Sequence, residues 1–224
     1  MLSTLNETTW LAWLDFLESN GIARRALLQG PATESDFAAV EAVIRRPLPA
    51  AFRSLYRLSN GQLRSRHDGL TFWNRDTTFE GRIPTALFGA GYEFLALADV
   101  AKEWSAWKAV AEQSGPDGMA DHAEFVATIV KDVVKPEYWI EGWLPFAMDA
   151  GGNALAIDLD PDVNGTIGQV IVMGPDEDVR HVLAPGVTEL IEDFFSAGRD
   201  GRFWFDARYR MFGITGLCGL DPPR

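Results

Sequence analysis

Three short apolar, β-prone runs follow one another between residues 143 and 173, and they constrain the fold more than any other feature of the chain. Trp143 to Ala147, Ala154 to Leu159 and Gln169 to Met173 are each bounded by Gly, Asn, Asp or Pro. Asp149-Ala-Gly-Gly-Asn153 reads as one hairpin loop and Asp160-Pro-Asp-Val-Asn-Gly165 as a second. Asn, Asp and Gly suit these loops because they tolerate the backbone angles of a tight reversal. Strands joined this closely form an antiparallel meander.

Helical periodicity dominates elsewhere. Thr4 with Glu7 fits a capping box, and Trp10, Trp13, Leu14 and Leu17 then recur at helical spacing up to Asn20-Gly21. Thr33 caps a second helix with Phe37, Val40, Val43 and Ile44 on one face, closed by Pro47. Pro49 opens a third, with Phe52, Leu55, Tyr56 and Leu58 inward, closed at Asn60-Gly61. Residues 69–73 and 92–97 have strand character. Asp99 caps a helix bearing Val100, Trp104 and Trp107, which ends at Ser114-Gly115-Pro116. Asp121 with Glu124 predicts a further helix with Phe125, Ile129 and Val133 as its apolar stripe before Pro136. A last helix spans Val187 to Ala197, burying Leu190, Ile191, Phe194 and Phe195, and the aromatic segment Phe203-Trp-Phe205 follows it. No linker or repeat interrupts the chain, so the expectation is one α+β domain over residues 1–224.

Charge narrows the partners. The 224 residues include 32 acidic and 20 basic side chains, a net charge of −12, and residues 141–193 hold 11 acids against one base, Arg180. Such a surface repels nucleic acid and anionic membranes and either steers basic proteins toward it or simply keeps the protein in solution. No apolar run approaches the ~20 residues that span a bilayer. Residues 1–21 lack the basic start and cleavage site of a signal peptide. The single Cys218 excludes an intramolecular disulfide. A cytoplasmic location is expected.

The motifs argue against catalysis. Asp160 to Gly165 fits the first six positions of a calcium loop, but position 12, which needs a bidentate Glu, is Ile171. That segment reads as a polar turn. His67, His122 and His181 lack zinc-site spacing, and no nucleophile elbow, metalloprotease or phosphate-loop motif is present. Alternation puts Asp158 and Asp160 on one face, as acid–base work requires, yet acids crowded on a turn are commonly just solvated. The expectation is no enzyme activity, no metal and no cofactor. Trp10, Trp13, Trp104 and Trp107 fall on helical stripes as core residues. Trp73, Trp139, Trp143 and Trp204 are less constrained, and one of them is a candidate exposed anchor.

The late segment resembles a known family. Trp143-Leu-Pro-Phe146, Asp149, Gly152-Asn153, Ile157-Asp-Leu159, Pro161, Gly165 and Gly168-Gln-Val-Ile171 look like the signature of the SUKH superfamily of Smi/Knr-type regulators and bacterial immunity proteins. Glu41, Leu48-Pro49, Leu55-Tyr56 and Asn60-Gly61 are similar to its opening helix–Leu-Pro–helix–Asn-Gly element, and Asp176, Asp178 and Val182-Leu-Ala184 fall in the expected order. The resemblance covers about residues 33–205. It implies a central, largely antiparallel mixed sheet flanked by helices, without catalytic activity. Its bacterial members neutralise toxins, often nucleases, in the cytoplasm, and its yeast members act as scaffolds. Ala- and Arg-rich helices point to a bacterial source.

The leading expectation is therefore an immunity protein that blocks a basic toxin domain. Asp158, Asp160 and Asp162, with Asp176, Glu177 and Asp178 from the next loop, would form one negative rim if both loops lie at the same end of the sheet. Asp158 has a second reading as a structural strand-end residue. The alternative function is a regulatory scaffold without a toxin partner.

Overall fold

The computed structural model describes residues 4–21, 28–62, 86–149, 151–206, 211–217 and 220–222. Helix α1 (Glu7–Ser19) is capped by Asn6, whose side chain accepts from the Thr9 N–H at 2.9 Å. The expected Thr4 start does not occur, because Leu5 is buried and its N–H donates to Ser54 Oγ instead of opening a helical turn. Helix α2 (Glu34–Ile44) begins as its sequence predicts. Thr33 accepts from the Asp36 N–H, and the Asp36 carboxylate accepts from Thr33. Those bonds hold the Asp36 carboxyl below its ordinary value. Helix α3 (Ala50–Leu58) follows Pro49 and buries Phe52, Leu55 and Tyr56.

Side chains of the first family-like segment lock these helices together. Glu41 accepts from the Leu48 N–H at 2.8 Å and from Arg53 at 3.0 Å, fixing the turn between α2 and α3. Asn60 accepts from the Leu97 N–H at 2.9 Å, at the first residue of α4 (Leu97–Ala123). Gly61 holds φ at 81°, and a Cβ there would stand 2.4 Å from Ala96 N, so only glycine lets α3 end beneath the start of α4.

Helix α4 overrides two expectations. Asp99 lies in its first turn, and Ala96 holds the cap position. Gly115 (φ 67°, ψ 177°) breaks the helix before Pro116, but helical structure resumes to Ala123, so the predicted stop is a kink. The helix predicted from Asp121 onward does not form. Asp121 lies in the last turn of α4, and the chain then enters strand β2 (Ala127–Thr128). Phe125 is 75% exposed and Ile129 59% exposed. Their spacing looked helical, but the backbone finds its partners in a strand some fifty residues later.

The meander appears where its sequence places it. Strands β1 (Glu93–Phe94), β3 (Trp143–Met148), β4 (Ala154–Asp158), β5 (Gln169–Met173) and β7 (Val182–Ala184) form an antiparallel sheet in the order β1-β3-β4-β5-β7. Strands β4 and β5 are buried along their whole length, which explains their unbroken apolar runs. Strand β2 pairs in parallel with β6 (Val179–Arg180), and β8 (Phe203–Asp206) with β9 (Met211–Ile214) makes a ribbon. Helix α5 (Val187–Asp200) continues through Gly198 and ends at left-handed Gly201. The architecture is α+β, as expected.

One core joins these parts. Trp13 stacks on Phe16 and Phe194, and Phe88 meets Phe94 and Phe146 edge-on. Trp10, Trp104, Trp139 and Trp143 are buried, and half-buried Trp204 donates from Nε1 to the Leu220 carbonyl at 2.8 Å. No described tryptophan is exposed; the most exposed aromatic side chain among the described residues is Phe125. The expected strand at 69–73, with His67, Trp73 and Cys218, lies outside the described residues. No described helix is long and apolar enough to cross a membrane.

Candidate protein-interaction surface

The six carboxylates expected to share one rim do not. Strands β4 and β5 pair with Asp158 opposite Gln169 at one end and Ala154 opposite Met173 at the other. The loop of residues 159–168 therefore leaves one end of the sheet, and the turn of residues 174–178 leaves the opposite end. A five-residue strand, roughly 13 Å long, separates them. The signal that would have revealed this was present: turns after successive antiparallel strands alternate between ends.

At the first end the acids are tied in. Asp158 is fully buried at the last position of β4. Its Oδ1 accepts from the Asp160 N–H at 3.0 Å, and its Oδ2 accepts from Gln169 Nε2 at 2.9 Å. Gln169 also donates to the Val133 carbonyl and accepts from the Thr166 N–H, each at 3.0 Å. Burial pushes the Asp158 carboxyl above its ordinary value, against the pull of those two donors. Asp158 thus knots the turn to the sheet and is not part of a binding rim. Asp160 pairs with Lys135 at 2.9 Å, so the calcium-like segment is a turn between β4 and β5 with one carboxylate held by a cation. A Cβ on Gly165 would stand 2.3 Å from the Val133 carbonyl oxygen, which makes glycine obligatory. Asp162 is half-buried, and its N–H donates to that same carbonyl at 3.3 Å. The exposed residues of this loop carry no charge: Val163 is 81% and Ile167 62% exposed, with Asn164 and Thr166 beside them.

At the opposite end Asp149 does the knotting. Its Oδ1 accepts from the Gly151 and Asn153 N–H groups, both at 2.8 Å, and Asn153 Oδ1 accepts from the Asp176 N–H at 3.0 Å. This chain of bonds draws the 149–153 and 174–178 turns together. Asp176 and Asp178 point their charge outward as exposed residues, and Glu177 is half-buried. Burial pushes the Glu177 carboxyl above its ordinary value, with Arg180 pulling it down and Asp149 pushing it up.

The single base of the acidic stretch is turned inward. Arg180 is fully buried on β6 and donates to the carbonyls of Glu137 (3.2 Å), Tyr138 (2.9 Å) and Glu177. Its guanidinium lies 5.4 Å from the centre of the Trp143 ring. Its charge is thus held by carbonyl dipoles and a ring face, with Glu177 and Asp178 as its nearest opposite charges. Alongside runs β2, where the Ala127 N–H donates to the Asp178 carbonyl at 2.8 Å. This bond brings the exposed Phe125 and Ile129 beside the acidic turn. Sequence reasoning placed both in a buried stripe and missed them as surface residues.

The model of the SMI1 / KNR4 family (SUKH-1) matches residues 31–193. The chain belongs to this family. The SMI1/KNR4 match runs from just before α2 into α5, so it takes in both knotted ends and the β2–β6 pair. Among similar proteins, KNR4/SMI1 homolog 2 of Debaryomyces hansenii is 28% identical over 191 residues, 71% of this chain and 29% of that protein. The cell wall biosynthesis/cell cycle regulator smi1 of Schizosaccharomyces pombe is 29% identical over 158 residues, 68% of this chain and 28% of its own length. The cell wall assembly regulator SMI1 of Saccharomyces cerevisiae is 23% identical over 213 residues, 83% of this chain and 39% of its own length. The chain thus spans well under half the length of these SMI1/KNR4 relatives. They are fungal, and they lend no support to the bacterial source that composition suggested.

Proposed function

We propose that the chain acts as a non-catalytic protein-binding module in a regulatory assembly of the SMI1/KNR4 kind. The observation that carries this reading is the division of labour among its ionisable groups. Three of the buried ones are engaged in holding backbone: Asp158 on the Asp160 N–H, Arg180 on three carbonyls, and the Tyr56 hydroxyl on the Leu95 carbonyl at 2.9 Å. Asp176 and Asp178, with Phe125 and Ile129 nearby, are left to solvent. Charges flanking an apolar contact speed and select association, and buried aromatic anchors set its lifetime. The names of the similar proteins, regulators of cell-wall assembly or biosynthesis, favour regulation over toxin neutralisation. The reading includes action in the cytoplasm, with a basic protein as partner and no cofactor.

The toxin-immunity reading stands second, supported by the same acidic excess, which suits a basic nuclease domain. One strain distinguishes the two. Deleting the gene from its source organism is expected to alter the cell wall or its resistance to wall-disrupting agents, with restoration by the intact gene. A deletion strain with a normal wall that dies only when an adjacent toxin gene is expressed overturns the regulatory reading and establishes the other.

A further inference from the structure

Among the described residues, the β2 strand is an unprotected edge. Its parallel pairing with β6 uses the Ala127 N–H to the Asp178 carbonyl (2.8 Å) and the Ile129 N–H to the Arg180 carbonyl (3.2 Å). In a parallel pair, residues that bond to the neighbour alternate with residues whose N–H and C=O point away. The Thr128 N–H and C=O therefore face away from β6, and among the described residues β2 has no second neighbour. Exposed edges are ordinarily blunted with Lys, Pro or a bulge. The segment Glu124-Phe-Val-Ala-Thr-Ile-Val130 has no Lys or Pro, and after Glu124 it is uncharged and β-prone. Left bare, such a stretch is an aggregation hazard.

The surroundings say what covers it. Phe125 and Ile129 flank the strand as exposed apolar contacts, and Glu124, Asp176 and Asp178 stand exposed around its start. At its far end Lys131 and Asp132 offset each other, and Arg180 is turned into the protein. A second copy of this chain is a poor occupant, because it would bring the same three carboxylates and another −12 of net charge. We propose that β2 captures an extended segment of a basic protein partner, which adds as a strand along Thr128, sets apolar side chains against Phe125 and Ile129, and directs Lys or Arg toward Asp176 and Asp178. Main-chain bonds at such an edge supply affinity, and alternate side chains supply selectivity. The inference rests on the protein-binding reading above and adds the site and the chemistry of the partner.

The test measures binding of a capped Lys-Val-Lys-Val-Lys-Val-Lys peptide to the full chain by fluorescence anisotropy at low salt. The unaltered chain is expected to bind it, and the same peptide with Glu in place of Lys is expected not to bind. Thr128→Pro, which removes the outward donor without changing charge, is expected to weaken binding about tenfold or more while thermal unfolding stays in place. If Thr128→Pro does not fold, Phe125→Ser with Ile129→Ser serves instead, with a loss of the same size expected. Absence of binding by the unaltered chain overturns the inference. So does equal binding of the Glu peptide or of the variants. A dimer of the unaltered chain that Thr128→Pro dissociates also overturns it, since the occupant is then a second copy. Failure here together with a cell-wall defect in the deletion strain rejects this edge and leaves the regulatory reading standing.

Discussion

The two ends of the five-stranded sheet are both rich in carboxylates, but they handle them in opposite ways. At the β4–β5 end, Asp158 is inside the protein, Asp160 is paired with Lys135, and the exposed residues Val163, Asn164, Thr166 and Ile167 are uncharged. At the other end Asp149 is tied down, but Asp176 and Asp178 remain outside. The base that follows them in sequence, Arg180, is aimed at carbonyls and Trp143. Equal charge along the chain thus becomes unequal charge at the surface. What decides the outcome is whether each carboxylate has a donor or a cation within bonding distance.

Four variants test that contrast. The largest effect is expected from Arg180→Met, which leaves three carbonyls without their donor. Urea unfolding should show a loss of about 3–5 kcal/mol. A loss below about 1 kcal/mol would mean that Arg180 is not held inside, and the second end would lose its excess of exposed negative charge. Gly165→Ala, at the knotted end, should cost about 2–4 kcal/mol, because the new Cβ meets the Val133 carbonyl. An unchanged midpoint would show that the 159–168 loop is free to yield.

Asp158→Asn is expected to cost about 1–3 kcal/mol, since one amide must face the Gln169 or Asp160 donor with a donor of its own. The dependence on pH gives its sign. Burial raises the folded-state carboxyl above its ordinary 3.8, so the folded chain holds that proton more tightly than the unfolded chain. The contribution of Asp158 is fullest below the unfolded value and is lost as pH climbs through the folded one. The gap in stability between the unaltered chain and Asp158→Asn should therefore widen as pH falls from neutral toward 3.8. A gap that narrows would show that the two donors outweigh burial. The smallest effect belongs to Asp176→Lys with Asp178→Lys, expected to stay within about 0.5 kcal/mol per site. A larger loss would make that end structural as well.

Much of this was legible locally. The Thr33 cap of α2, the Pro49 start of α3 and the strands around Ala154 and Gln169 rest on neighbours within a few residues, so their side-chain pattern suffices. The stretch from Asp121 to Val133 was misread because Phe125, Ile129 and Val133 mimic a helical stripe. The chain there bonds instead to Asp178 and Arg180, far away in sequence. The rim failed for a similar reason: six nearby acids say nothing about which end of a sheet their loops leave.

By itself the sequence determined most element types, the antiparallel meander, the family and the excess of acid, since all of these depend on short-range spacing and composition. Only the tertiary structure decided that Asp158 is buried, that Arg180 faces inward, that the acidic turns lie at opposite ends and that β2 has one edge open among the described residues. Each of those outcomes depends on partners brought together by packing, and burial with hydrogen bonding, not charge alone, sets where a side chain ends up.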